Sequence, residues 1–219
     1  MDVLKKITLL FVLLTGSWAL QAQVGIKAGV NFANMLFEED GTKVEDLTKN
    51  GSTKFVAGLV FILPLTDAIA LQPELLFQQK GAERKYTVLG QEFTNDITYN
   101  YIDIPLLLRF SLGNTYGEGL GFYLNAGVYG AYALSGKSKN SSVLGDSETE
   151  FTFDGADDQT RLDYGLAGGV GVTVGNLFFD LRYTHGINNL LDDDANNGND
   201  SGFKKYQHRG LALTGGIAF

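Results

Sequence analysis

Three features of this 219-residue sequence predict an all-β fold, a single eight-stranded antiparallel up-and-down transmembrane β-barrel with short periplasmic turns and long extracellular loops. Eight segments alternate apolar and polar side chains with a period of two. The connections between them are long and short in turn. A secretory leader comes first, and no later apolar run is long enough for a membrane helix. Composition agrees with this. The 28 Gly, 15 Phe and 10 Tyr suit twisted antiparallel strands. The absence of Cys excludes disulfide frameworks, Cys metal sites and thiol nucleophiles. With 17 Lys and Arg against 25 Asp and Glu the formal charge is −8, which leaves no electrostatic footprint for nucleic acid.

The leader occupies residues 1–22, and residues 23–219 form the barrel domain. Lys5 and Lys6 make a basic start, Ile7 to Leu14 an apolar stretch, and Leu20-Gln21-Ala22 resembles a cleavage site. Thr15, Gly16 and Ser17 interrupt the apolar stretch before it could span a bilayer. No Cys stands at the cleavage point to take a lipid anchor. The best later apolar run, Val56 to Leu65, is broken by Pro64.

The strands follow in order. The first runs from Val24 to Asn34, with Val24, Ile26, Ala28, Val30 and Phe32 on one face and Lys27 on the other. The second, Lys54 to Leu63, is apolar on both faces. In the third, Ile69 to Gly81, Leu71, Leu75 and Phe77 alternate with Gln72, Glu74 and Gln78. In the fourth, Tyr99 to Leu112, Ile102 to Phe110 oppose Asp103 and Arg109. The fifth, Gly121 to Leu134, sets Phe122, Leu124 and Val128 against Tyr123, Asn125 and Tyr129. The sixth, Arg161 to Val174, sets Leu162, Tyr164 and Leu166 against Asp163. The seventh, Leu177 to His185, sets Phe179, Leu181 and Tyr183 against Asp180 and Arg182. The eighth, Tyr206 to Phe219, sets Leu211, Leu213, Ile217 and Phe219 against His208 and Thr214.

About 19, 17, 25 and 20 residues make the long connections; about five, eight and two make the short ones, which places both termini on the short-turn side. A soluble lipocalin-like barrel would turn its apolar face inward. Here the polar face is too rich in Gly, and too poor in Lys and Glu, to be a solvated surface. Gly29, Gly127, Gly165, Gly169, Gly171 and Gly216 leave room in a narrow lumen. Phe32, Tyr132, Tyr164 and Tyr183 gather at the long-loop ends; Phe110, Phe122, Phe179 and Phe219 gather at the turn ends, as two interfacial girdles would.

The chain closes on Leu211, Leu213, Gly215, Ile217 and Phe219. Leu213, Gly215, Ile217 and the terminal Phe219 resemble the C-terminal signal by which barrel assembly machinery recognises bacterial outer-membrane barrels. The run Tyr101-Ile102-Asp103-Ile104-Pro105-Leu106-Leu107-Leu108-Arg109-Phe110 resembles a segment of the PorT-like outer-membrane barrel family. Gly25 to Asn31 resembles that family's first strand. Asp180 to Gly186 resembles its seventh, where the family usually has a small polar residue in place of His185. The resemblance covers the mature chain. It implies fold and outer-membrane location; one member is linked to protein secretion, but no secretion-specific motif is found here.

By parity Lys27, Arg109 and Arg182 point inward, as do Glu74, Asp103 and Asp180. An eight-stranded barrel is just wide enough for its own side chains to fill. The bland reading of these six is a structural plug, and the sharper one is a narrow passive channel for ions or small solutes. A third reading, a lipid-modifying enzyme at the rim, needs Ser, His and a carboxylate together. Parity sends His185 to the lipid and His208 to the lumen; Asp163, Ser135 and Ser201 are candidates to join His208, though spacing does not bring them together. No catalytic, cofactor or metal residue is assigned. Asp192-x-Asp194-x-Asn196 starts like a calcium loop, but Asn197 and Phe203 stand where Gly and Glu are required. Gly117 to Gly121 resembles part of a nucleotide loop but has no helix after it. The expected partners are outer-membrane lipid, the assembly machinery and an extracellular ligand met by the acidic loops. The mature protein is expected to begin near Gln23, which N-terminal sequencing of protein extracted from membranes checks.

Overall fold

Hydrocarbon offers no hydrogen-bond partner, so a sheet that crosses it must close on itself. The computed structural model describes residues 22–39, 42–43, 51–88, 91–113, 119–142, 145–151, 153, 160–190 and 205–219. Residues 1–21 of the signal peptide, the calcium-like run at 192–196 and the first two residues of the nucleotide-like turn, 117 and 118, lie outside these residues.

Eight strands form the ring: β1 (Gln23–Glu39), β3 (Ser52–Pro64), β4 (Ile69–Val88), β5 (Gln91–Gly113), β6 (Leu120–Ser142), β8 (Leu162–Val174), β9 (Leu177–Gly186) and β10 (Lys205–Ala218). Two short strands lie beside it, β2 (Thr42–Lys43) on β1 and β7 (Gly145–Phe151) on β6. Every ring strand pairs antiparallel with its sequence neighbour in the ring. β1 pairs with β10, from Gly25↔Ala218 to Glu38↔Lys205, and this seam closes the barrel.

Alternation does what the sequence expects. Ile26, Phe55, Leu75, Leu106, Leu124, Val170, Leu181 and Leu213 are exposed on the outside, where lipid covers them. The aromatics of both girdles are exposed with them, including Phe32, Tyr132, Tyr164 and Tyr183 at one end and Phe110, Phe122, Phe179 and Phe219 at the other. A polar row, Gln79–Asn100–Ser135, crosses β4, β5 and β6 through hydrogen bonds of 3.0 and 2.8 Å and ends the apolar wall on that side.

Two long connections differ from expectation. The loss of apolar alternation after Gly81 suggests a 17-residue loop, yet β4 and β5 stay paired from Ala82↔Ile97 out to Val88↔Gln91. Likewise β6 runs on past Leu134 to Ser142 and pairs with β7 within the expected 25-residue loop. Once the strands leave lipid neither face must be apolar, so the ladder continues while its signature disappears. A bulge marks the change: Tyr101 faces Ala133 but Asn100 faces Ser135, which leaves Leu134 as the extra residue.

Glycine matters at two places. Gly175, with φ of 59°, makes the two-residue turn between β8 and β9. Gly171 lies under the Tyr123 ring, where a Cβ would stand 2.1 Å from Tyr123 Cζ. Gly171→Ala is therefore expected to lower the urea midpoint of the refolded barrel, at a cost of about 1–3 kcal/mol. Gly130→Ala, where a Cβ meets nothing within 4 Å, is the control and should leave it unchanged.

Candidate functional site

The barrel interior is built in layers. At the turn end Val60, Ile62, Ala70, Phe178 and Ala218 form an apolar floor. Strand β3 contributes two of these because it is apolar on its inner face as well as its outer one.

Above the floor lies the first ionic layer. Glu74 Oε2 is 2.8 Å from Lys27 Nζ. Arg182 grips the same carboxylate with both guanidinium nitrogens, Nη1 to Oε2 at 2.7 Å and Nη2 to Oε1 at 2.9 Å. Gln72 Nε2 donates to Oε1 at 2.7 Å. Arg182 Nη2 also lies 3.1 Å from Asp180, whose other oxygen accepts from Asn125 Nδ2 at 2.7 Å. Arg109 donates to Gln72 Oε1 and stacks 3.5 Å from the Tyr123 ring centroid.

The second layer centres on Lys80. Its Nζ lies 2.8 Å from Asp163 and 3.2 Å from Asp103. The same ammonium sits 4.2 Å from the Tyr129 ring centroid and 5.0 Å from that of Tyr101. Tyr129 donates its hydroxyl to Asp163 at 3.2 Å, and the Tyr101 hydroxyl meets His208 Nε2 at 3.3 Å. Nearer the rim, Lys54 Nζ pairs with Asp96 at 2.6 Å and donates to Thr98 at 2.6 Å. Met35, Tyr99, Ala133 and Leu190 close the top, with Phe153 packed against them.

All six charged residues expected inside are buried here: Lys27, Glu74, Asp103, Arg109, Asp180 and Arg182. Their three-to-three balance holds across the lumen but not within a layer. In the first layer three cations face two carboxylates, and in the second one lysine faces two. The two layers cancel only together, and Lys80 and Asp163 add one charge of each sign. Both were legible, since Lys80 shares parity with Glu74 and Gln78, and Asp163 opposes Leu162 and Tyr164. Between the layers an enclosed space of ≈ 10 Å³ remains, room for about one water.

Among the described residues the rim chemistry is not brought together, and Ser201 lies outside them. His185 faces outward and His208 inward, as parity requires. Asp163 does join the cluster of His208, but Ser135 is exposed on the outer wall, accepting from Asn100. Among the described residues no group of three or more His, Cys, Asp or Glu could hold a metal ion.

A closed ring with an apolar belt, two aromatic girdles and a buried ionic interior defines a small integral β-barrel of the bacterial outer membrane. The chain belongs to the outer membrane protein beta-barrel domain family, whose model matches residues 17–192. Strand β10, which closes the ring, lies beyond that match. Solved structures similar to it include Ail, the attachment invasion locus protein of Yersinia pestis, in complex with the heparin analogue sucrose octasulfate. That pair shows 18% identity over 90% of this chain and 99% of Ail, with a TM-score of 0.41. Neisserial surface protein A is 12% identical over 90% of this chain and 97% of its own, with a TM-score of 0.40. OprG of Pseudomonas aeruginosa is 13% identical over 90% and 96%, with a TM-score of 0.43. No curated protein matches the sequence.

Glu74→Gln would leave Lys27 and Arg182 buried without their shared counter-charge. It is expected to destabilise the refolded barrel by about 3–5 kcal/mol in urea unfolding. Glu148→Gln, which breaks the exposed pair with Lys137, should cost about 0–1 kcal/mol.

Proposed function

We propose that this protein is a plugged barrel with a structural or surface-interaction role, exercised through the segments that leave the membrane on the long-loop side. The observation that carries the reading is the filled lumen. Among the described residues an apolar floor, two interlocked ionic layers and a roof of Met35, Tyr99 and Phe153 follow one another, and the space between the layers is ≈ 10 Å³. A solute would have to break ion pairs that are buried on every side, which is a costly step.

Among the described residues the barrel presents a sheet outward. The β4–β5 hairpin and the β6–β7 pair continue the barrel wall past the polar row at Gln79, Asn100 and Ser135. Its charges answer one another: Lys137 with Glu148 at 3.0 Å, Lys139 with Asp146 at 3.3 Å, and Lys85 with Glu83 at 2.8 Å. The Glu83 carboxylate raises the Lys85 pKa through the same hydrogen bond. Such a face suits a polar partner more than a polyanion. We place the chain with the PorT-like members of its family on the strength of Tyr101 to Phe110, and read Leu213, Gly215, Ile217 and Phe219 as its assembly signal. Leu213 and Phe219 are exposed on the outer face of the seam, in reach of such machinery. A catalytic role finds no support in the separation of Ser135 from His208.

Single-channel recording in a planar bilayer tests the plug, with heat-dependent gel mobility as proof of folding. The wild type is expected to be silent, and Arg109→Ala to lower the unfolding midpoint while staying silent. Discrete, salt-dependent steps from the folded wild type would replace this reading with the passive channel.

A further inference from the structure

Lys27, Lys54, Lys80 and Arg182 inside the barrel have carboxylate partners, and so do Lys85, Lys137 and Lys139 on the outer sheet. Arg209 is different. Among the described residues its guanidinium donates to neutral oxygens: Nη1 to Gly186 O at 2.6 Å and His208 O at 3.3 Å, and Nη2 to Gln207 Oε1 at 3.0 Å. These bonds fix the group's orientation without cancelling its charge, and Nε–H makes no bond to the described residues. Alternation along β10 puts Arg209 on the outer face, in line with the exposed Leu211 and Leu213.

Its height on the barrel is set by register. Phe32, Leu211 and Tyr183 form one row of exposed side chains across β1, β10 and β9. Two residues nearer the long-loop rim on each strand come Asn34, Arg209 and His185, again in register. The half-exposed guanidinium and the exposed His185 ring therefore stand just beyond the aromatic girdle on the long-loop side. At that depth they face neither bulk water nor acyl chains but lipid headgroups. An outward cation there is stabilised by an anion supplied from the membrane.

We propose that Arg209, with His185 beside it, binds the phosphate of an outer-leaflet lipid headgroup. A guanidinium already oriented by three acceptors presents its remaining N–H groups at little further cost in conformational entropy, and its planar fork suits phosphate oxygens.

The test uses the full mature chain refolded into phosphatidylcholine vesicles with or without diphosphorylated lipid A, extracted in detergent and analysed by native mass spectrometry. Wild type is expected to retain lipid A, and R209Q to retain about tenfold less. R209K, which keeps the charge and loses the fork, should fall between them. Dephosphorylated lipid A should be retained weakly and equally by all three. Gel mobility in phosphatidylcholine alone confirms that each variant folds. Equal retention by wild type and R209Q would overturn the site. So would wild type holding dephosphorylated lipid A as tightly as the phosphorylated form, a comparison that needs no variant to fold.

Discussion

In the bilayer core a backbone N–H or C=O without a partner costs several kcal/mol, and a flat sheet leaves a row of them along each of two edges. The pairing of β1 with β10 removes both edges at once. Other features follow from that closure. Eight strands set a lumen no wider than the side chains that fill it. A lumen of that width in a low-dielectric surround cannot hold a lone charge, so those present must find each other. Outside, the same ring turns alternate residues to hydrocarbon, and they have to be apolar.

The interior is more tightly coupled than a set of separate salt bridges. The layer around Glu74 carries an excess cation and the layer around Lys80 an excess carboxylate. Neither is neutral by itself. Tyr123 ties Arg109 to the Gly171 gap, while Tyr101 ties Lys80 to His208 and Tyr129 ties it to Asp163. Burial of ion pairs is weak evidence for stability, since an apolar core of equal volume can do as well. What such a network does supply is a single arrangement: each strand is locked in register by a partner on another part of the ring.

Much of this was legible in the amino-acid sequence, because lipid enforces a period of two. The outward positions, the girdles and the six interior charges at 27, 74, 103, 109, 180 and 182 follow from parity alone. Parity says which side of the wall a residue is on, but not which residue it meets across the lumen. That depends on the stagger of the ring, so the meeting of Lys80 with Asp163, or of Tyr101 with His208, could not be read. Lys54 is hidden in the sequence by the apolar residues that dominate β3 around it. The alternation also stops reporting where lipid stops, which is why residues 82–88, 91–98, 135–142 and 145–151 look like loops and are strands. At Leu134 one extra residue resets the phase, and counting from below then misplaces everything above it.

The seam between residues 25–38 and 205–218 also governs the order in which the molecule can be made. The strand that emerges first waits for the strand that emerges last, and the whole chain lies between them. Neighbouring hairpins such as β8–β9 can zip through a two-residue turn, whereas the seam needs a search over the longest loop the chain can form. Until it is found, β1 and β10 offer open edges to any other strand nearby. A chain that stops short of residue 205 is therefore not a smaller barrel but an unfinished one, with a vacant ladder on β1 and another on β9.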